Sequence, residues 1–176
     1  FFPFKDINIQ ELDDYLEKEN LNIFLRPHIN DTNKEKIAWD NYSKNLNAKN
    51  IKSLSFGELE DINRLLPFIN ILITDYSTIY TDALLFNVPT IFIPYDYSMY
   101  EKKRGFVYKF EEIAVGPKVF SQKELVSAIN NINLNKRKFI NLQEKIKKKF
   151  HHYEDGHSSM RIVNILKSNL KIKWTY

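Results

Sequence analysis

The chain has 176 residues, of which 43% are hydrophobic and 14% aromatic, with no cysteine and a formal net charge of +4 at pH 7. This composition argues against intrinsic disorder and predicts one domain over residues 1–176, while the lack of cysteine excludes thiol catalysis and disulfides and fits a cytoplasmic protein. No apolar run reaches the roughly 18 residues that cross a bilayer, and the first residues, FFPFKD, do not predict a signal peptide.

Helix and strand patterns alternate through the first part of the chain. Apolar residues at helical spacing predict a helix over residues 8–20, and an apolar run predicts a strand over residues 22–25. A helix over residues 33–45, a strand over 51–56 and a helix over 58–70 follow by the same criteria. This order predicts an α/β fold, with a Rossmann-like parallel sheet and helices on both of its faces.

The next part carries the clearest β-loop-α-β pattern. Residues 71–74 are typical of a strand buried on both faces, and residues 79–86 form a helix pattern that Ser77 can cap and an Asn-Val-Pro sequence ends. Residues 90–93 predict the following strand. Ser77 and its neighbours therefore lie at the carboxyl end of a strand, where open α/β sheets bind ligands and helix N-termini attract phosphate.

The last part has looser patterns. The spacing predicts a short helix over residues 97–104, a strand fragment over 107–110 and a turn over 115–117. Three further helices are predicted over residues 121–131, 136–150 and 158–166, the first of them capped by Ser121. No GxGxxG or GxxxxGK[ST] sequence is present, so neither a dinucleotide fingerprint nor a P-loop is predicted.

Three segments of the chain resemble the CDP-glycerol glycerophosphotransferases, which build teichoic-acid-like and capsular polymers. They are residues 59–96, 100–129 and 150–163, and the Asp-Tyr-Ser-Thr and Arg-Gly-Phe sequences within them are the most specific parts. The resemblance implies a GT-B architecture of two Rossmann-like domains facing a cleft. This chain would be the carboxyl-terminal, donor-binding half, and the amino-terminal acceptor domain would lie outside it.

The same resemblance implies the reaction. A hydroxyl of the growing cell-surface polymer attacks the β-phosphate of CDP-glycerol, or of a similar CDP-polyol, and expels CMP. The general base is expected in the other half, so this half is expected to bind the donor without turning it over. A contact with the inner face of the membrane would accompany a cytoplasmic location, and neither a cofactor nor a nucleic-acid partner is predicted.

Several side chains are candidates for binding the donor. Ser77 and Thr78 suit the pyrophosphate, although a simple helix cap is the alternative for Ser77. Asp82 would stabilise the amino end of its helix or contact a ribose hydroxyl. The resemblance implies that Arg104 contacts a phosphate or the cytidine, and the alternative is a surface ion pair. It also implies that Asp155 faces the cleft, and the alternative is that Asp155 only forms a turn.

A histidine is the candidate for catalysis. His28 follows the strand over residues 22–25, and we align it with the histidine of a His-Pro pair in the family, although here the proline precedes it. It would bind the donor phosphate as a cation or act as acid toward the leaving group, and Arg26 is the neighbouring phosphate candidate. No metal site is predicted, because His151, His152 and His157 have no partner acids at ligand spacing beyond Glu154 and Asp155.

Two other functions fit the same patterns. A GT-B glycosyltransferase that uses a nucleotide sugar would present the same sheet edge and hydroxyls. A non-catalytic domain would bind an anionic polymer through Lys145, Lys147, Lys148 and Lys149, which would otherwise form a solvated helix face or a contact with anionic lipid.

Overall fold

A computed structural model describes residues 2–26, 41, 46–54 and 59–170. The predictions for residues 27–40, 42–45 and 55–58, including His28 and most of the helix over residues 33–45, lie outside these described residues. The described helices and strands are α1 (Ile9–Lys18), β1 (Ile23–Leu25), β2 (Ile51–Ser53), two 3-10 turns (Ile62–Arg64 and Leu66–Phe68), β3 (Leu72–Thr74), α2 (Ile79–Leu85), β4 (Thr90–Phe92), α3 (Tyr97–Lys103), α4 (Phe110–Ile113), α5 (Gln122–Phe150) and α6 (Ser158–Leu170).

The four strands form two parallel pairs, β1 with β2 and β3 with β4. Residues 117–119 run parallel along the other side of β4. There the Phe92 N–H donates to the Pro117 carbonyl at 2.8 Å, and the Phe92 carbonyl accepts the Val119 N–H at 2.9 Å. Parallel strand pairs, with α2 between β3 and β4, are what the alternating pattern predicts, so this part of the prediction is confirmed. All carboxyl ends within a pair meet at one edge.

Both strand pairs contribute to one apolar core, which joins them to α1 and α5. Leu25 and Ile51 come from the first pair and Ile91 from the second, and each is at most 3% exposed. Leu12 of α1 and Leu125 of α5 are fully buried against them. Each such side chain contributes about 1.5–3 kcal/mol of transfer free energy, so this core is the main reason that the two pairs stay together.

A buried carboxylate joins α1 to the start of β2. Asp13 is 5% exposed and accepts hydrogen bonds from the backbone N–H groups of Lys49 at 2.9 Å and Asn50 at 2.7 Å. Burial raises the pKa of Asp13, but these hydrogen bonds together outweigh it, so the pKa is lowered. The carboxylate therefore satisfies two backbone donors that would otherwise be buried without partners.

Two predicted elements are wrong. The helix over residues 58–70 is replaced by the two 3-10 turns, because Pro67 has no N–H to continue an α-helix. The strand fragment over residues 107–110 is absent: Val107 is 95% exposed, and Phe110 instead begins α4 and is buried against aromatic side chains. The predicted break between residues 131 and 136 corresponds to a kink in α5, where Asn135 has non-helical φ −127° and ψ 28°.

Candidate functional site

Residues 75–78, here called the hydroxyl loop, connect β3 to α2. The Asp75 carboxylate accepts the Ser77 N–H at 3.0 Å, so Asp75 orients the loop through its backbone. The Ser77 hydroxyl accepts Ile79 N–H at the long distance of 3.5 Å. Thr78, rather than Ser77, directly precedes α2, and its exposed hydroxyl has no hydrogen-bond partner among the described residues. Both hydroxyls are therefore weakly engaged.

The hydroxyl loop is anchored by an aromatic side chain that the sequence analysis did not select. The ring of Tyr76 lies 4.5 Å from that of Tyr100, 5.2 Å from Phe110 and 5.5 Å from Phe106, measured between centroids. Aromatic pairs contribute about 0.5–1.5 kcal/mol each beyond the burial of their area. The loop is consequently packed against α3 and the turn that follows it. The aromatic residues at 97, 100 and 106 were the available signal for this contact.

Two buried polar atoms lie within this aromatic region. The Tyr76 hydroxyl and Oδ1 of Asp96 are both shielded from solvent, and neither has a hydrogen-bond partner among the described residues. Burial raises the pKa of Tyr76, and the negative charge of Asp96 raises it further. The Tyr76 hydroxyl therefore stays protonated, and the ring is held in place by packing.

The packing of Tyr76 brings the Arg104 segment next to the hydroxyl loop. Arg104 ends α3, where its N–H donates to the Tyr100 carbonyl at 2.8 Å, and Gly105 then adopts φ +67°, which turns the chain so that Phe106 reaches Tyr76. The Arg104 side chain is exposed, and within the described part of the chain it has no ion-pair partner. The surface ion pair that was its alternative role is not formed there.

Arg26 is engaged in the fold. Its guanidinium donates to the carbonyls of Leu54 at 3.2 Å and Glu60 at 3.3 Å, and its burial lowers its pKa. These bonds tie the end of β1 to the chain that leaves β2. The described contacts of Arg26 favour a structural role.

Asp82 and Asp155 occupy different surroundings. Asp82 lies half-buried in the first turn of α2, directly after the hydroxyl loop. Asp155 is exposed, accepts the His157 N–H at 3.0 Å and forms a two-pronged ion pair with Arg161. The hydrogen bonds from Arg161 hold the pKa of Asp155 at about 2. Asp155 therefore orders its own turn, and no described contact joins it to the hydroxyl loop.

The turn that contains Asp155 is nevertheless connected to α2 through His151 and to α5 through Glu154. His151 donates from Nε2 to the Thr81 carbonyl at 2.7 Å, and the Thr81 hydroxyl donates to the Thr78 carbonyl at 2.7 Å. Lys147 pairs with Glu154 at 3.0 Å and lies 3.5 Å from Oδ1 of Asn87. Periodicity gives no signal for the contacts of His151 with Thr81 and of Lys147 with Asn87, because these partners are 70 and 60 residues apart.

The lysine run is not one solvent-facing patch. Lys147 is 9% exposed and points to Glu154, whereas Lys148 pairs with Glu144 at 3.7 Å and Lys149 lies 4.1 Å from the centre of the Tyr108 ring. The prediction that all four lysines share one face is therefore wrong for Lys147. No described helix is both long and apolar enough to span a membrane, and the described residues include no cluster of acids and histidines suited to a metal ion.

Comparison with known proteins gives consistent matches. The model of the CDP-glycerol:poly(glycerophosphate) glycerophosphotransferase family matches residues 1–168. The teichoic acid poly(glycerol phosphate) polymerase of Bacillus subtilis is 36% identical over 110 residues, which are 62% of this chain and 15% of that protein. The teichoic acid ribitol-phosphate polymerase TarL of Staphylococcus aureus is 28% identical over 165 residues, or 94% of this chain and 27% of TarL.

The fold also matches a solved structure. The wall teichoic acid polymerase TagF, in a structure obtained after a soak with CDPG, superposes with a TM-score of 0.64 at 20% identity, over 96% of this chain and 40% of that one. The likeness confirms the predicted α/β class of GT-B type. The chain spans less than half of the length of these relatives, and its organisation as a single domain stays a prediction.

Proposed function

Because this chain belongs to the CDP-glycerol:poly(glycerophosphate) glycerophosphotransferase family, we propose that it binds a CDP-linked glycerol phosphate donor for transfer to a hydroxyl of a growing cell-surface polymer. A related CDP-polyol is the close variant, since relatives include both glycerol-phosphate and ribitol-phosphate polymerases. The acceptor polymer and the acceptor-side domain would be contributed from outside this chain. The location we propose is the cytoplasm.

The observation that carries the proposal is the contact of Tyr76 with Phe106. Through it, the segment that carries Arg104 lies next to the loop that carries two weakly engaged hydroxyls, Ser77 and Thr78, and Arg104 has no ion-pair partner among the described residues. Hydroxyls beside an available guanidinium suit a pyrophosphate, because arginine binds phosphate oxygens through paired hydrogen bonds. The hydroxyl loop also follows β3, at the carboxyl edge where sheets of this class bind ligands.

The proposed chemistry is phosphoryl transfer. An acceptor hydroxyl forms a bond to the β-phosphorus while the bond from that phosphorus to the oxygen of CMP breaks, and the acceptor proton passes to a base outside this chain. Negative charge then builds on CMP. Arg104 offsets this charge and the hydroxyl loop holds the phosphates in position, which are the main contributions a protein makes to such a transfer. His28, outside the described residues, would protonate or pair with the leaving group.

Calorimetric titration of the full-length protein with CDP-glycerol tests the proposal. Replacing both Ser77 and Thr78 with alanine removes two contacts to a charged group, so the binding free energy should weaken by roughly 2–4 kcal/mol with little loss of fold stability. Ser127→Ala, on the exposed face of α5, is the matched control and should bind normally. Unchanged affinity in the double variant would reject the role of the hydroxyl loop.

A second arm of the same titration separates the rival function. UDP-sugars should bind far more weakly than CDP-glycerol. A glycosyltransferase would show the reverse order, since the same hydroxyls would then hold a nucleotide sugar. Free anionic polymer is the third ligand: tight, salt-sensitive binding of polymer together with no binding of either nucleotide would favour the non-catalytic role.

The peripheral membrane contact is a separate proposal. With Lys147 turned inward, it would rest on the exposed Lys145, Lys148 and Lys149 near the end of α5. Vesicles that contain anionic lipid should bind the protein at low salt and release it as salt rises, because exposed charges are screened over about 8–10 Å near physiological ionic strength. No binding at low salt would refute it.

A further inference from the structure

His151 follows the last residue of α5 and reaches back to the helix that begins after the hydroxyl loop. Its backbone leaves the helical conformation at φ −120° and ψ 83°, and its partly buried side chain places Nε2 2.7 Å from the Thr81 carbonyl. A carbonyl oxygen can only accept, so Nε2 carries a proton and donates it to this hydrogen bond. The contact therefore joins the end of α5 to the first turn of α2.

Further hydrogen bonds extend this contact to the hydroxyl loop. The Thr81 hydroxyl donates to the Thr78 carbonyl at 2.7 Å, and the Thr81 N–H donates to the same carbonyl at 2.9 Å. Thr78 is the last residue of the loop, so Thr81 fixes the peptide group at which the loop becomes helix. His151, Thr81 and Thr78 thus form one chain of hydrogen bonds that ends in the loop.

The first turn of α2 needs such a contact. The helix has only seven residues, Thr78 gives it no side-chain cap, and the Ser77 hydroxyl accepts the Ile79 N–H at the long distance of 3.5 Å. A helix this short is not stable on its own, so its position depends on tertiary contacts. The ring of Tyr76 packs the middle of the loop against α3, whereas His151 holds the Thr78 end from the side of α5.

We propose that His151 is a positioning residue for the donor phosphates. By donating to the Thr81 carbonyl, it holds the first turn of α2, and with it the Ser77 and Thr78 hydroxyls, in the orientation that binds the phosphates. The inference rests on the proposed function and adds a residue that lies 70 positions from Thr81. His151 acts through Thr81, so it need not contact the donor itself.

Calorimetric titration of the full-length protein with CDP-glycerol tests this role. His151→Leu removes the N–H donor, and the affinity should fall by about 2- to 13-fold, because returning the loop to its position costs at most one net hydrogen bond. His151→Gln keeps an Nε2–H donor and should restore most of the affinity. The inference is overturned if His151→Leu binds CDP-glycerol as the wild-type protein does, or if His151→Gln binds it no better than His151→Leu.

A second substitution tests whether His151 acts through Thr81. Thr81→Val removes the hydroxyl with little change in shape and should also weaken the binding of CDP-glycerol. Both contacts belong to one chain of hydrogen bonds, so the combined variant should lose less affinity than the product of the two single fold-changes. Independent contacts would give the full product, and that result would overturn the inference.

His152→Leu is the matched control. His152 is exposed and its ring lies against that of Tyr153, with the centroids 4.5 Å apart, so its loss should leave the affinity for CDP-glycerol unchanged. A loss equal to that of His151→Leu would mean that any change in this turn disturbs the site, and the inference would be overturned.

The same titrations separate this inference from the proposed function. If the Ser77 and Thr78 double variant loses affinity for CDP-glycerol while His151→Leu does not, the inference fails and the proposed function survives. If the wild-type protein does not bind CDP-glycerol, the proposed function fails and the inference fails with it.

Discussion

The hydroxyl loop and the carboxyl-terminal segment, residues 151–170, are held by different kinds of contact. The loop is fixed by the ring of Tyr76, which packs on three other aromatic rings at 4.5–5.5 Å. The carboxyl-terminal segment is held by polar contacts: Lys147 with Glu154, His151 with the Thr81 carbonyl and Asp155 with Arg161. No described side chain of α6 is buried.

The difference indicates where the geometry of the site comes from. Packed aromatic rings have few alternative positions, so they hold the two hydroxyls in a defined place relative to Arg104. Exposed ion pairs contribute little and are screened by salt, so the carboxyl-terminal segment has less to resist movement. We expect the hydroxyl loop to depend on packing and the carboxyl-terminal segment to depend on charge, which the following changes test.

The largest expected effect is that of Tyr76→Ala. Loss of this ring leaves a cavity among Tyr100, Phe106 and Phe110, so the free energy of unfolding should fall by about 3–5 kcal/mol, as for other large aromatic truncations. Binding of CDP-glycerol should weaken at the same time, because the hydroxyl loop and the Arg104 segment lose their shared contact. Urea unfolding and calorimetry of the same preparation measure the two effects.

Tyr76→Phe is the control for this change. The Tyr76 hydroxyl is buried without a partner among the described residues, so its removal should change the free energy of unfolding by less than about 0.5 kcal/mol. A loss from Tyr76→Phe as large as that from Tyr76→Ala would contradict the packing account. The hydroxyl and Asp96 would then be the anchor of the loop.

An intermediate effect is expected for Lys147→Ala, which removes the contact between α5 and the carboxyl-terminal segment. The side chain of Lys147 is 11% exposed and that of its partner Glu154 is 46% exposed. The free energy of unfolding should fall by about 1–2 kcal/mol, between the values for buried and exposed pairs. Lys148→Ala, one position along, removes a 74% exposed side chain and should cost less than about 0.5 kcal/mol. If the two variants lost the same free energy of unfolding, Lys147 would contribute no more than an exposed lysine, and the prediction would be contradicted.

The smallest effect is the pH dependence of the Asp155 turn. The pKa of Asp155 in the folded protein is about 2, below its ordinary value of 3.8, because Arg161 donates to the carboxylate. A lowered pKa means that the ion pair stabilises the folded state above about pH 4 and that this contribution is lost as the pH falls toward 2. NMR titration of Asp155 should show the low pKa in the wild-type protein and a higher pKa in Arg161→Gln, which keeps the hydrogen bond from the His157 N–H. An ordinary pKa in both proteins would mean that the ion pair does not persist in solution.

Local sequence determined much of this protein. The strand, loop, helix and strand over residues 71–93 follow from apolar spacing and from the Asn-Val-Pro stop, and Asp75 orients its loop through a hydrogen bond to the backbone only two residues away. The three segments that resemble the family also follow one another along the chain, so they can be found from the sequence alone. These features depend on near neighbours in the chain, so periodicity and local hydrogen bonding are enough to predict them.

Only the tertiary structure decided the rest. Phe110 is drawn into α4 by aromatic partners that include Tyr76, 34 positions earlier, and the inward-turned Lys147 contacts Asn87, 60 positions earlier. The Asp6 carboxylate accepts the Gln122 N–H at the start of α5, 116 positions away. Such contacts join residues that are distant in sequence, and their free energy depends on what the whole fold buries together, which no local pattern encodes.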